Sequence, residues 1–179
     1  MDLVKTLGLD GVDAVIDAEP ASELASPSDS AAPDGKSLAR MGVRIGSLGL
    51  LFPVEAGREV MPPPPVSRVP NTVSWLRGLA NVRGGLVPVV DACHAFGVRR
   101  DAGAPYLQIF GRGEAAIGFL IDGLPRLFSV ETSHRLTELP AVPALLEGSV
   151  VAAYDHDDQL WMDVDIQSLL DTFARHAAL

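Results

Sequence analysis

The sequence is poor in cysteine and in long hydrophobic runs, and each shortage excludes a class of protein. One cysteine among 179 residues, Cys93, rules out an internal disulfide and fits a reducing compartment. No window reaches the roughly 18 apolar residues that a membrane-spanning helix needs. The chain starts with an acid at Asp2 and has no basic segment followed by an apolar core, so it carries no recognisable secretory signal. We therefore expect a cytoplasmic protein without direct membrane insertion.

Basic residues are also scarce. The formal net charge is -9, with 14 Lys and Arg against 23 Asp and Glu. A chain without a basic run has no electrostatic footprint for nucleic acid or for an anionic membrane surface, so neither is expected as a partner. Both lysines, Lys5 and Lys36, lie near the start, and every later basic residue is arginine, whose forked guanidinium suits carboxylate pairing.

Residues 1–40 differ in composition from the rest. They hold eight acids and three basic residues, and positions 20–39 are rich in Ala, Ser, Pro and Asp, which favours a flexible linker. Apolar residues between Leu3 and Ile16 favour a short helix or an added strand. Two interpretations stay open for this stretch, a disordered tail or a segment that docks on a partner. We divide the chain into an acidic tail, 1–40, and one domain, 41–179.

Turn signals recur along the domain between short apolar runs. Each of four pairs of runs surrounds a Gly- or Asp-rich reversal, which predicts four β-hairpins: 43–45 with 48–52, 79–82 with 86–90, 106–110 with 115–121, and 150–154 with 160–164. The end of the chain has helical periodicity instead, with Ile166, Leu169, Leu170 and Phe173 on one stripe. Asp165 precedes this helix as its predicted N-cap. The pattern predicts an all-β barrel or sandwich with a C-terminal α-helix.

No cluster of residues indicates catalysis. Cys93 and His94 are adjacent and, on a strand, would point to opposite faces, so we expect a buried thiol beside an exposed imidazole. The run 155–158, Asp-His-Asp-Asp, has metal-capable groups, but consecutive residues seldom converge on one ion, and a solvated turn is the expectation. A small metal-dependent hydrolase that uses this run and His94 is the remaining enzymatic alternative. We expect no enzyme, no cofactor and no metal.

The segment 78–91, Gly-Leu-Ala-Asn-Val-Arg-Gly-Gly-Leu-Val-Pro-Val-Val-Asp, organises the chain. We expect Gly84 to need a positive φ, and Arg83 to tie the hairpin tip through hydrogen bonds to neighbouring carbonyls. Asn81 and Asp91 are expected to cap turns. Pro88 lacks an N–H, so it belongs at an edge, a strand start or a bulge.

This segment resembles the signature of CheW-like domains. Three further segments resemble the family in order and approximate spacing: Arg-Glu-Val at 58–60, Val-Ser-Arg-Val-Pro-Asn at 66–71 and Val-Asp-Ile-Gln-Ser-Leu-Leu at 164–170. Within the family, residues 75–84 are most similar to the adaptors of pilus-linked, twitching-type pathways. The resemblance implies two SH3-like five-stranded barrels that share a core, with a groove between them. Ala92 and Cys93 depart from the family's frequent Leu-Arg, which puts any contact of such an arginine in doubt.

The resemblance also implies a function. Such a protein is a non-catalytic adaptor in chemotaxis or twitching motility, recruited to membrane-associated receptor arrays. One barrel would bind the regulatory domain of a CheA-type histidine kinase, and the groove would take the cytoplasmic tip of a chemoreceptor near Glu59, Val60 and Arg68. For Arg68 the alternative is an intramolecular pair, for example with Glu59. The alternative for the whole chain is a diverged SH3-like interaction module of another signalling assembly.

Overall fold

The computed structural model describes residues 37–177, and the predictions for residues 3–16 and for most of the linker lie outside this range. The strands and helices are β1 (Ser37–Ile45), β2 (Leu48–Pro53), β3 (Gly57–Met61), β4 (Val66–Ser67), β5 (Leu76–Val82), β6 (Gly85–Asp91), α1 (Ala92–Phe96), β7 (Pro105–Phe110), β8 (Ile117–Glu131), β9 (Val150–His156), β10 (Gln159–Val164) and α2 (Ile166–Ala177). Because β1 begins at Ser37, residues 37–40 belong to a strand and not to the predicted linker.

The strands form one sheet that divides into two groups around β8. The first half of β8 pairs with β6 and β7, and β5, β4 and β3 continue that group. The second half of β8 pairs with β1, which leads through β2 to β10 and β9. The prediction of a β fold closed by a C-terminal helix is confirmed, and two groups that share one strand agree with the expected pair of barrels.

A bulge in β8 marks the passage from one group to the other. The register against β1 jumps from Arg44↔Asp122 to Gly42↔Arg126, so residues 123–125 stand opposite Val43 alone. Gly123 adopts φ 74° and Pro125 has no N–H, and both features suit a bulge. An extra stretch on one strand bends it, which lets a single 15-residue strand serve both groups. The sequence pattern predicts this strand only as far as residue 121, and its second half, up to Glu131, is not predicted.

One hydrophobic core joins the two groups. It combines Val43 and Phe52 of the second group with Phe110 and Phe119 of the first, and all four side chains are buried. Phe173 of α2 belongs to the same core, with its ring centroid 5.0 Å from that of Phe119. Burying an aromatic side chain of this size contributes about 2–3 kcal/mol. Helix α2 therefore closes the shared core, as its apolar stripe predicts.

Three predicted hairpins have two-residue turns. They are the reversals at 46–47, 83–84 and 157–158, closed by the pairs Ile45↔Leu48, Val82↔Gly85 and His156↔Gln159. Both central residues of the second and third turns have positive φ, the requirement of a type I′ turn, whose twist matches that of the strands. The fourth hairpin, between β7 and β8, has a longer loop that contains a 3-10 turn, Gly113–Ala115. All four hairpin predictions are confirmed.

The segment after β6 is a short helix, which the sequence analysis placed on a strand. The carboxylate of Asp91 caps α1 by accepting the backbone N–H of His94 at 3.3 Å, and Gly97 ends the helix in the left-handed region at φ 66°. Cys93 is buried and His94 is exposed, as predicted, but the helix and not strand alternation separates them. In the sequence, Asp91 as an N-cap residue and Gly97 as a C-cap residue are the signals that indicate this helix.

Helix α2 begins as predicted. The carboxylate of Asp165 accepts the backbone N–H of Ser168 at 2.7 Å, the geometry of an N-cap. This hydrogen bond stabilises the ionised form and lowers the pKa of Asp165. The side chain therefore fixes the start of the helix whose Phe173 closes the core.

Candidate partner-binding surface

The β5–β6 hairpin presents a rigid tip. The side-chain oxygen of Asn81 accepts the backbone N–H of Gly84 at 2.9 Å, across the turn. Arg83 has φ 51° and Gly84 has φ 85°. Pro88 stands opposite Leu79 of β5, while the pairing of β6 with β8 starts one residue later, so Pro88 lies where β6 has a single strand neighbour. This position agrees with the rule that proline avoids central ladder positions.

Arg83 does not bond neighbouring carbonyls as predicted. Its Nη2 donates to Glu59 Oε1 at 2.7 Å and its Nε donates to the same oxygen at 3.2 Å. The prediction was wrong because β3 brings a carboxylate within reach of the tip, and a charged acceptor makes a stronger hydrogen bond than a carbonyl. The Arg83 side chain is 80% exposed and that of Glu59 is 29% exposed, so the pair contributes little to stability. It places the guanidinium of Arg83 directly beside the Glu59 carboxylate.

Glu59 and Val60 line a depression between the two strand groups. Its volume is about 310 Å³, and its opposite wall carries Met41 of β1 with Leu124 and Pro125 of the β8 bulge. Gln108, nearly fully buried, donates from Nε2 to the backbone oxygen of Glu59 at 3.1 Å and holds β3 in place. We call this depression the inter-group groove.

Exposed leucines flank the inter-group groove. Leu124 is 60% exposed and Leu127 is 77% exposed. Leu127 is paired with Met41 across β8 and β1, and directly paired residues face the same side of a sheet. Large apolar side chains that stay in water beside a concave surface mark an interaction site. Neither leucine is predicted from the sequence, because nothing in the local pattern shows that the second half of β8 is a strand with an exposed face.

The structure separates Arg68 from this groove. Arg68 follows β4 and lines a second depression of about 360 Å³, together with Arg77 of β5 and the polar loop that contains Asn71, Thr72 and Ser74. No residue lines both depressions. Because Glu59 is paired with Arg83, the alternative pair of Arg68 with Glu59 is absent from the described residues. The three residues expected at one surface thus divide between two.

An ion-pair cluster joins the two groups below the surface. Arg100 Nη1 donates to Asp122 of β8 at 2.6 Å, and its Nη2 donates to Asp91 at 2.9 Å. Asp122 also accepts the backbone N–H of Gly46 at 2.6 Å, which ties the β1–β2 turn to β8. Burial raises the pKa of the Cys93 thiol, which contacts Asp122, to about 12. Position 93 thus carries a buried thiol, and Arg100 places a guanidinium on the same carboxylate.

The proposed catalytic and metal-binding residues do not converge. Within residues 37–177 no group of three or more His, Cys, Asp or Glu side chains is arranged to hold a metal ion. Asp157 and Asp158 form the β9–β10 turn, while His94 Nε2 lies 3.0 Å from the hydroxyl of Ser74. The metal-dependent hydrolase therefore has no support in the described part of the chain. Neither α1 nor α2 has the length and apolar character to cross a membrane.

The fold and these surfaces define a class of protein. It is a domain of two strand groups around a common core, whose concave surfaces carry apolar side chains and arginines suited to contacts with other proteins. The chain belongs to the CheW-like domain family, whose model matches residues 40–174. Members of this family are scaffold and adaptor proteins, generally without catalysis.

Individual relatives support the same assignment. The chain is 27% identical over 137 residues to Protein PilI of Pseudomonas aeruginosa, covering 71% of this chain and 72% of that one. It is 25% identical over 111 residues to Chemotaxis protein CheW of Klebsiella aerogenes, covering 60% and 66%. The crystal structure of the scaffolding protein TtCheW from Thermoanaerobacter tengcongensis superimposes with a TM-score of 0.60 at 14% identity, over 73% of this chain and 90% of that one. This last likeness shows the fold.

Proposed function

We propose that this protein is a non-catalytic adaptor that couples chemoreceptors to a CheA-type histidine kinase in a bacterial chemosensory array. The inter-group groove is the single observation that carries the proposal. It combines the Glu59 carboxylate, which is paired with Arg83, with the exposed apolar side chains of Val60 and Leu124. The exposed Leu127 lies beside the groove, opposite Met41 of its wall. The array serves motility, flagellar or pilus-driven, and recruits the adaptor to the membrane through the receptors.

The groove fits an amphipathic helical tip. Leu124 on one wall and Leu127 beside it offer apolar area, and a receptor helix that covers both removes that area from water at about 25 cal/mol per Å². Glu59 is held by Arg83, so a cationic or hydrogen-bond-donating group of the partner meets a carboxylate that is already oriented. Orientation before binding lowers the entropic cost of the complex. The receptor contact therefore depends on both the leucines and the ion pair.

The second surface, at Arg68 and Arg77, supplies a separate contact with a carboxylate of a partner. Arginine pairs carboxylates in a forked geometry, and neither side chain has an ion-pair partner within the described residues. The regulatory domain of the kinase, bound by one of the two strand groups, completes the assembly. Two separated surfaces are what an adaptor needs to hold two partners at once.

Binding of the cytoplasmic fragment of a chemoreceptor from the same cell tests the proposal. Leu127→Glu places a charge on a side chain that is 77% exposed, so we expect an unchanged melting temperature and at least about tenfold weaker receptor binding, a loss of about 1.4 kcal/mol. Calorimetry measures the affinity, and a thermal melt checks the fold.

Leu86→Glu is the matched control. Leu86 is 68% exposed at the start of β6 and lines neither depression. We expect its receptor affinity to equal that of the wild type. If both variants bind the receptor as the wild type does, the inter-group groove is not the receptor site. If the folded wild-type protein binds no receptor at all, a diverged interaction module of another assembly becomes the better account.

A further inference from the structure

A third depression lies along α2, apart from the inter-group groove and next to the Arg68 surface, with which it shares Leu76. Its volume is about 390 Å³, and it shares no residue with the inter-group groove. Trp75, Val90, Ile117 and Phe173 form its floor. The floor is rigid, because the Trp75 and Phe173 rings pack edge to face with centroids 5.0 Å apart. We call this depression the α2 groove.

The length of the α2 groove follows from the residues of α2 that line it. Besides Phe173 of the floor, they are Gln167, Leu170, Asp171, Ala174 and Ala177, which recur at the spacing of one helical stripe. Gln167 and Ala177 are ten positions apart, and a rise of 1.5 Å per residue gives a wall about 15 Å long. This wall is about as long as three turns of a partner helix, and its alanines allow the backbone of that helix to approach closely.

The opposite wall is the β7–β8 loop, and it too carries small side chains. Gly111, Ala115 and Ala116 line the groove there. An open trough with small residues on both walls and aromatic rings below has room for the larger apolar side chains of a partner. Such a trough is the arrangement that receives an amphipathic helix through side chains at i, i+3, i+4 and i+7.

The charges of the α2 groove are of one sign. Glu114 stands on the loop wall and Asp171 on the α2 wall, both exposed, and no lysine or arginine lines the groove. Within residues 37–177 neither acid forms an ion pair, and Asp171 only accepts a hydrogen bond from Gln167 at 2.9 Å. An apolar floor between two such acids is complementary to a partner helix that carries an apolar stripe between basic residues.

We propose that the α2 groove docks an amphipathic helix of a protein partner whose apolar stripe is flanked by lysine or arginine. The apolar side chains contact the floor around Trp75 and Phe173. The flanking cations meet Glu114 and Asp171 at the rims. This surface is independent of the receptor groove, so it gives the adaptor a further partner or a further contact within its assembly.

A pair of synthetic peptides tests the proposal on the full chain. One is a 15-residue helical peptide with leucines at i, i+3, i+4 and i+7 and lysines beside that stripe, and the other has glutamates in place of the lysines. We expect the lysine peptide to bind one to one, at least about tenfold tighter than the glutamate peptide in low salt. Binding is measured by calorimetry, and Ala174→Arg, which fills the trough from an exposed position, should abolish it.

Charge reversal supplies the decisive variant. Glu114→Lys with Asp171→Lys should invert the preference, so that the glutamate peptide binds tighter. The control is Glu138→Lys with Glu147→Lys, which changes the net charge equally at exposed positions outside the groove and should keep the original preference. If the reversed variant unfolds, the neutral pair Glu114→Gln with Asp171→Asn should still reduce the discrimination severalfold.

Three outcomes would overturn the proposal. Equal binding of both peptides to the wild type would show that the rim acids select nothing. Peptide binding that Ala174→Arg leaves intact would locate the site elsewhere. Self-association of the protein in sedimentation, lost in Ala174→Arg, would assign the α2 groove to a second copy of this chain.

Discussion

Two glycines, one in β5 and one in the turn after it, differ in the space that is available for a Cβ atom. Substituting them therefore gives a quantitative test of the fold. Gly84 has φ 85°, and a Cβ built there finds no atom within 4 Å. Gly84→Ala therefore costs only the left-handed backbone, about 1–2 kcal/mol. Gly78 has φ 137°, and its Cβ would overlap the carbonyl oxygen of Ser67 and lie 3.0 Å from the Cα of Arg68. Gly78→Ala adds a clash with the backbone of β4.

The expected loss for Gly78→Ala is therefore larger, about 3 kcal/mol or more, because a backbone cannot give way as a flexible side chain does. Gly84→Val should fall between the two variants, since a β-branched residue tolerates positive φ poorly. Urea denaturation of the three variants and the wild type measures these losses. A loss for Gly84→Ala equal to that for Gly78→Ala, or a neutral Gly84→Val, would show that the β5–β6 hairpin is drawn incorrectly.

Three further predictions concern residues that hold α2 and the core. Asp165→Ala should lose about 1 kcal/mol of unfolding free energy at pH 7. Because the folded state lowers the pKa of Asp165, this stabilisation is present above the unfolded pKa of 3.8 and is lost as the pH falls through the folded pKa. The unfolding free energies of wild type and variant should therefore converge in urea melts at acid pH, and a difference that stays constant with pH would contradict the cap. The Cys93 thiol, with a pKa of about 12 against 9.0, should react with iodoacetamide at pH 8 about a thousandfold more slowly in the native chain than in urea, and equal rates would show an accessible thiolate. Arg100→Leu should lower the free energy of unfolding, measured in urea melts, by about 3 kcal/mol, because it leaves Asp91 and Asp122 without their cation. Arg99→Leu changes an exposed neighbour and should lower it by less than about 0.5 kcal/mol. Equal losses in the two variants would refute the bridging role of Arg100.

Local patterns of the sequence predicted the hairpins and the terminal helix because the determining chemistry is local. The 83–84 and 157–158 turns follow from Gly84, Asp157 and Asp158, whose residue types tolerate positive φ, and α2 follows from its stripe and from Asp165. The common core also follows, once the resemblance to CheW-like domains is accepted. The turns and the helix depend on residues a few positions apart, whereas the core joins distant residues and was predicted only from the resemblance.

The remaining features depend on contacts between distant segments. Arg83 finds Glu59 only because β3 and the β5–β6 tip come together across 24 positions, and Arg100 finds Asp122 across 22. The second half of β8 has no alternating pattern, because its strand is defined by pairing with β1 and by the bulge at 123–125. For the same reason the sequence could not separate Arg68 from Glu59, nor reveal that Leu127 faces water.

Recruitment of the kinase to the receptor tests the adaptor role most directly. Receptor cytoplasmic fragments, a CheA-type kinase from the same cell and this protein are mixed, and the kinase that sediments with the receptor is measured with and without the protein. The proposal predicts that the kinase sediments only when the protein is present, that Leu127→Glu abolishes the effect and that Leu86→Glu preserves it. Kinase sedimentation that does not depend on the protein, with all components folded, would contradict the adaptor function.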